Sequence, residues 1–159
     1  MMSNLFLLNI FLAAGFSVIL GQVNLSGFIT GMITGYLALW VTRPLYGETT
    51  YFSRVIKILR LLVYFIWQLL ISNLRVLWDV ITPKNISQPG VIAVPLEARS
   101  DFEIMLVANL VSLTPGTLSL DVSEDRQSLY VHMMFLEDVE SARRDIKQGI
   151  EKKVLEALR

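Results

Sequence analysis

The sequence contains no cysteine, a single histidine and, from residue 1 to residue 42, no Asp, Glu, Lys or Arg. Each absence removes a class of chemistry. Without thiols there is no disulfide framework and no thiolate metal or redox site. A Cys–His pair is impossible, metal ligands are not clustered, and both a Gly-x-Ser-x-Gly elbow and a phosphate-cradling Walker loop are missing, so hydrolase, kinase and metalloenzyme chemistry have no residue basis. The chain reads as non-enzymatic, with no cofactor, no metal and no small-molecule substrate bound by it alone. Low-complexity tracts and internal repeats are missing as well.

The uncharged run of 42 residues would form roughly 60 Å of helix, about twice the ~30 Å hydrocarbon thickness of a bilayer. Two crossings fit, with the break where Gly21, Gln22, Asn24 and Ser26 cluster. Residues 1–42 are therefore expected to form a transmembrane helical hairpin, with spans at 4–20 and 25–42. A cleaved secretory signal is not expected, because a basic n-region and a small-x-small cleavage site are missing and a second apolar stretch follows at once. At 53% hydrophobic residues and a mean hydropathy of +0.54, the chain is too apolar for an ordinary soluble domain and too charged to lie wholly in lipid.

The polar side chains of these spans, Asn4, Asn9, Ser17, Ser26, Thr30 and Thr34, can hydrogen-bond between helices but cannot hold a charge. That excludes a proton or ion carrier of the carboxylate-relay kind. Gly27, Gly31 and Gly35 recur every four residues, with Thr30 and Thr34 alongside, and predict a face for close helix packing. Its partner is the first span, a second copy or another protein.

Residues 43–82 form a basic amphipathic or third membrane helix. From Arg43 to Lys84 there are six basic residues against Glu48 and Asp79, and Tyr36, Trp40, Tyr46 and Tyr51 cluster at the exit of the second span. This is the pattern of a cytoplasmic flank, which places the N-terminus and the C-terminal domain in the cytoplasm and the turn at 21–24 outside. Arg54, Lys57, Arg60, Tyr64, Gln68, Ser72, Arg75 and Asp79 fall on one stripe about 120° wide, and only Asn73 breaks it. The uncharged core, 61–74, is roughly 21 Å long, short of a full crossing. An interfacial or half-buried helix is favoured over a third crossing.

Residues 83–159 read as a small cytoplasmic α+β domain, and from residue 85 onward they carry eight basic and twelve acidic residues. A linker containing Pro83, Asn85, Ser87, Pro89 and Gly90 precedes a strand at 91–98. Ser100 and Glu103 form a capping box that opens a helix at 101–113, stopped by Pro115 and Gly116. Strands at 117–122 and 129–135 form a hairpin around a polar turn at 123–127. Val139, Ala142, Ile146, Ile150, Val154 and Leu158 predict a final amphipathic helix. The order β-α-β-β-α is most of a ferredoxin-like layer. The acidic domain gives no basis for nucleic-acid binding.

Three features have a plain reading beside a sharper one. His132 is a proton-linked switch or, more simply, a structural strand histidine. Pro115-Gly116 is a docking loop or simply the turn from helix to strand. Asp121, with Glu124 and Asp125 nearby, lacks the spacing of a calcium loop and reads as a solvated turn.

The run Asn109-Leu110-Val111-Ser112-Leu113-Thr114-Pro115-Gly116-Thr117, followed by Asp121 and Tyr130-Val131-His132, resembles the signature of the E subunits of the multisubunit cation/proton antiporters, the Mrp/Mnh type. The resemblance covers nearly the whole chain: hydrophobic hairpin, basic amphipathic segment, small C-terminal domain. It implies an accessory subunit of an inner-membrane complex exchanging Na⁺ or another monovalent cation for H⁺, with the other antiporter subunits and the bilayer as partners. It also makes Asn109, Thr114, Pro115, Gly116, Thr117, Asp121 and His132 candidates for subunit contact. A homologous subunit of a membrane-bound hydrogenase with an antiporter-like module is one alternative. A membrane-anchored homo-oligomeric scaffold held by the glycine face is the other.

Overall fold

The computed structural model describes residues 2–46, 49–83 and 87–159. Glu48, Lys84 and Asn85, assigned above to the basic segment and the linker, lie outside the described residues. The chain divides into two compact units, Met1–Ile56 and Lys57–Arg159.

In the first unit, α1 (Met2–Ile19) and α2 (Leu25–Val41) pack side by side as a hairpin. The turn follows from its residues. Gly21 takes the left-handed conformation, φ +64°, that a side chain disfavours, and the Gln22 amide donates to the Ser17 carbonyl at 2.9 Å. Asn24 then caps α2 by accepting from the Gly27 amide at 2.8 Å. Beyond α2 a short 3₁₀ turn, Arg43–Leu45, begins with Pro44 near its start. The predicted span end at Thr42 is the C-cap, where its hydroxyl donates to the Ala38 carbonyl at 2.8 Å. Tyr51 and Phe52, the first residues of α3 (Tyr51–Ile81), are buried with Leu5 and Leu39. Their rings and that of Tyr36 lie 5.3–5.9 Å apart in tilted and edge-to-face pairs.

The second unit contains the rest of α3 and a small α+β domain: β1 (Gly90–Pro95), α4 (Asp101–Leu113), β2 (Thr117–Val122), β3 (Ser128–Met133), α5 (Val139–Asp145), a π-helical turn (Ile146–Glu151) and α6 (Lys152–Leu158). The sheet order is β1-β3-β2 with both pairings antiparallel, so β1 and β2 run parallel on either side of β3. Ile92 opposite Val131 and Val94 opposite Leu129 point into the core, where they meet Val107 and Val111 of α4 and Ala142, Ile146, Ile150 and Val154 of the last helices. The helices cover this face only. Val91, Leu118, Leu120 and Tyr130 are exposed on the other.

Three predicted boundaries move, each for a local reason. The first strand stops at Pro95, after which the Leu96 amide alone continues its register and the next two turn to a side chain. Leu96 donates to the Gln127 carbonyl at 2.8 Å, and Glu97 and Ala98 both donate to Oε1 of Glu151, at 2.6 and 3.0 Å. The third strand stops at Met133, with the Met134 amide carrying the β2 register one step further to the carbonyl of Gly116, where β2 begins at its tight turn. The final helix is interrupted by the π-helical turn.

The capping box at Ser100 and Glu103 is complete. Oε2 of Glu103 accepts from the Arg99 and Ser100 amides at 2.9 and 3.2 Å, while Arg159 donates to Oε1 at 2.9 Å. The hydrogen bond from Arg159, then that from the Arg99 amide, holds the Glu103 carboxyl at about 2, below its ordinary 4.5. A depressed carboxylate stabilises the fold above its ordinary value, and the contribution is lost as pH falls through about 2. Thermal unfolding of the full-length protein, followed by circular dichroism, should therefore fall between pH 5 and pH 3 in the wild type. In Glu103→Gln it should already be lower at pH 7 and change less over the same interval.

Candidate functional site

Within the first unit the glycine face of α2 lies against α1. Gly27, Gly31, Gly35 and Leu39 are its buried residues. A Cβ on Gly31 would stand 2.6 Å from the Ala13 carbonyl oxygen and 2.8 Å from the Ala13 Cα, so the contact is backbone against backbone. A Cβ on Gly27 would meet the Gln22 carbonyl, and one on Gly35 would meet Oδ1 of Asn9. Thr30 and Thr34 do not share this seam. Both are exposed and donate at 2.9 Å to the carbonyls one turn back, Ser26 and Thr30, which satisfies a hydroxyl inside an apolar helix without a partner helix.

The polar groups of the seam come from α1. Asn9 is 1% exposed and donates to the Tyr51 hydroxyl at 2.8 Å and the Met32 carbonyl at 3.3 Å. Ser17 is 4% exposed and donates to the Gln22 carbonyl at 2.5 Å. Neither α1 nor α2 brings an acidic or basic side chain to the seam, which matches the uncharged sequence of both helices.

In the second unit Thr114, Pro115, Gly116 and Thr117 form one tight turn between α4 and β2. Gly116 has φ +87°, the Thr114 hydroxyl donates to the Leu110 carbonyl at 3.0 Å, and the Thr117 hydroxyl donates to the Val111 and Thr114 carbonyls at 2.6 and 2.9 Å. The motif terminates a helix by having side chains take up its last carbonyls. The remaining candidates are not gathered with it. Asn109 is exposed on α4. Asp121 sits at a bulge in β2 and accepts from the Val122 amide at 2.8 Å. His132 is half-buried in β3 between Val91 and Leu118.

The polar stripe of α3 faces the α+β domain over its middle. Leu61 and Tyr64 pack on the core, a Cβ on Gly149 would strike the Tyr64 hydroxyl, and Nζ of Lys153 lies 4.4 Å from the Tyr64 ring centroid. Leu59, Leu62, Val63, Ile66, Trp67, Leu70, Leu74, Leu77 and Trp78 are all exposed. Among the described residues α3 is the one helix long and apolar enough for a full crossing by length and composition, and α1 and α2 are shorter apolar helices.

A family profile described as Na⁺/H⁺ ion antiporter subunit matches residues 9–157. The chain belongs to the family of Na⁺/H⁺ antiporter E subunits. It is 39% identical over 153 residues to the Na⁺/H⁺ antiporter E subunit of Bacillus subtilis, covering 96% of this chain and 97% of that one. It is 37% identical over 129 residues to the E subunit of Alkalihalophilus pseudofirmus, covering 81% and 82%. Among solved structures, a chain of the Mrp complex from Dietzia is similar with a TM-score of 0.51 at 28% identity, over 64% of this chain and 96% of that one. A chain of the archaeal membrane-bound sulfane sulfur reductase has a TM-score of 0.60 at 24% identity over 96% and 97%, a likeness of fold.

In this family member, sequence reasoning missed one organising residue and one pairing. Glu151, 1% exposed, looks like one more charge on an amphipathic helix, and only the tertiary fold brings it to the Glu97 and Ala98 amides. The Asn9–Tyr51 hydrogen bond joins residues 42 apart, beyond any local pattern. Asn9 is among the span side chains expected to hydrogen-bond between helices, but its partner Tyr51 was not foreseen. Gly31→Leu is expected to separate the two backbones and reduce the amount of assembled complex recovered from membranes, whereas Thr30→Leu, an exposed position, should leave the yield unchanged.

Proposed function

We propose that this chain is an accessory membrane subunit of a multisubunit Na⁺/H⁺ antiporter, contributing to assembly and stability and carrying no ions itself. The observation that carries the reading is the seam between α1 and α2: its polar groups are an asparagine, a serine and a tyrosine hydroxyl, none able to relay a proton as a carboxylate or lysine would. Ion passage then belongs to other subunits of the complex. The glycine seam supplies the rigid hairpin they assemble around, and the turn at 114–117 is a rigid candidate contact on the domain.

The proposed topology has α1 and α2 as a transmembrane hairpin of about 26–27 Å per helix, close to the ~30 Å of hydrocarbon. Helix α3 lies in the membrane interface. What supports this is its company: Tyr64 and Gln68, near its middle, stand beside Lys153 and Gly149, and a charged domain on the middle of a spanning helix would have to enter hydrocarbon. In the interfacial pose the exposed Leu, Ile, Val and Trp side chains rest in lipid and the stripe faces the domain. Two crossings leave both the N-terminus and the α+β domain cytoplasmic, on the side of the basic collar. With β3 between β1 and β2, the domain is a ferredoxin-like layer lacking its last strand.

Affinity purification of the chain from its native membrane in mild detergent, with mass spectrometry of co-purifying proteins, tests the function. Large polytopic subunits with intramembrane Lys and Glu are expected. Recovery of the chain only with itself would replace this reading by the homo-oligomeric scaffold, and hydrogenase subunits would select that alternative. Because the chain has no cysteine, topology is read from single substitutions. A membrane-impermeant maleimide should label Val23→Cys on intact cells, and Lys152→Cys only after permeabilisation. External labelling of Lys152→Cys would mean that α3 crosses.

A further inference from the structure

Between the stripe of α3 and the α+β domain lies a cleft of about 460 Å³, a volume in the range of small-ligand sites. Its charge is one-sided. Arg75 of α3, Arg144 of α5 and Lys153 of α6 line it against a single carboxylate, Asp145. Among the described residues none of these three cations makes an ion pair, although the unit forms four others, including Arg143 with Glu140 and Lys147 with Glu97. Three cations from three helices around one cleft repel one another, and an anion bound between them would relieve that repulsion. Ser72 and Gln148 add a hydroxyl and an amide to the lining.

We propose that this cleft binds the phosphate of an anionic phospholipid headgroup. Two guanidiniums can each grip phosphate oxygens through paired N–H donors, and the Lys153 ammonium, held at the Tyr64 ring, supplies a third charge. The opposite side of α3 exposes the apolar side chains that would lie among acyl chains, which sets the cleft at headgroup level. The lipid source rests on the interfacial placement of α3 proposed above; the phosphate chemistry of the cleft does not. A bound headgroup would bridge α3 to the domain, so that the cytoplasmic unit is seated only on a membrane rich in anionic lipid.

The test is native mass spectrometry of the full-length chain in a maltoside detergent, titrated separately with dioleoylphosphatidylglycerol, dioleoylphosphatidylcholine and inorganic phosphate. One phosphatidylglycerol should bind in preference to phosphatidylcholine, Arg75→Gln and Arg144→Gln should each weaken it about fivefold, and Asp145→Asn should tighten it. Arg75 and Arg144 are exposed and make no ion pair among the described residues, so neither substitution should unfold the domain, which circular dichroism checks. Inorganic phosphate binding with the same dependence on the variants, and no phosphatidylglycerol bound, would keep the phosphate site and assign it to a soluble anion. Equal phosphatidylglycerol affinity in wild type and all three variants, or equal binding of phosphatidylcholine, would overturn the proposal. Neither outcome depends on which proteins co-purify, so the site and the antiporter reading fail separately.

Discussion

From Arg54 to Asp79 the polar side chains of α3 other than Asn73 keep to one stripe, and the rest is Leu, Ile, Val, Phe and Trp. A helix so divided has two solvents to satisfy at once. Its apolar surface, open from Ile56 to Ile81, has a large hydrophobic cost in water, and its stripe has a comparable cost in lipid. The same helix begins inside the core of the first unit, through Tyr51 and Phe52, and continues as part of the second, through Leu61 and Tyr64. Among the described residues no other element contributes to both cores.

The connection from β1 to α4 obeys a second constraint. Four consecutive amides, Glu97 to Ser100, have neither strand nor helix to pair with, and two carboxylates take them in pairs: Glu151 the first two, Glu103 the second two. Half of this was legible. Ser-x-x-Glu is a local code with fixed spacing, so Glu103 announces itself. Glu151 lies 53 residues from the amide of Ala98, and its heptad neighbours give no hint that it is buried, because what places it is a tertiary approach.

The last helix shows the same division in another form. Ala142, Ile146, Ile150, Val154 and Leu158 step by four each time, whereas an α-helix advances about 40° beyond a full turn over four residues. Four such steps would carry the stripe well off its face. The wider i→i+5 turn at Ile146–Glu151 takes up the excess and keeps Ile146, Ile150 and Val154 on one core. The strict spacing was visible in the sequence, but the same period runs through Gly27, Gly31, Gly35 and Leu39 of the unbroken helix α2, so it did not by itself announce the π-helical turn. In the hairpin the glycine period was equally visible, but it could not choose a partner: Gly31 meets Ala13 because a short turn, fixed by Gly21 and capped by Asn24, brings the neighbouring helix back at once. Thr30 and Thr34 share the period by position alone, since hydroxyls that bond to their own helix need no seam.

Charge is distributed along the chain as the proposed division of labour requires. A subunit that carried ions would hold ionisable groups within its spans, and α1 and α2 have no carboxylate, lysine or arginine. Three cations without an ion pair among the described residues, Arg75, Arg144 and Lys153, lie instead on α3, α5 and α6, outside the hairpin and beside a cleft. Side chains that cross a membrane and side chains that grip its surface face opposite electrostatic demands, because hydrocarbon penalises any charge while an anionic surface rewards positive charge. With charge kept off α1 and α2, the hairpin is packed by glycine, alanine and neutral hydrogen bonds, and in the proposed topology the basic residues stand at the membrane boundary. In the proposed role, a protein built this way adds shape and anchorage to a complex without adding a path for ions through itself.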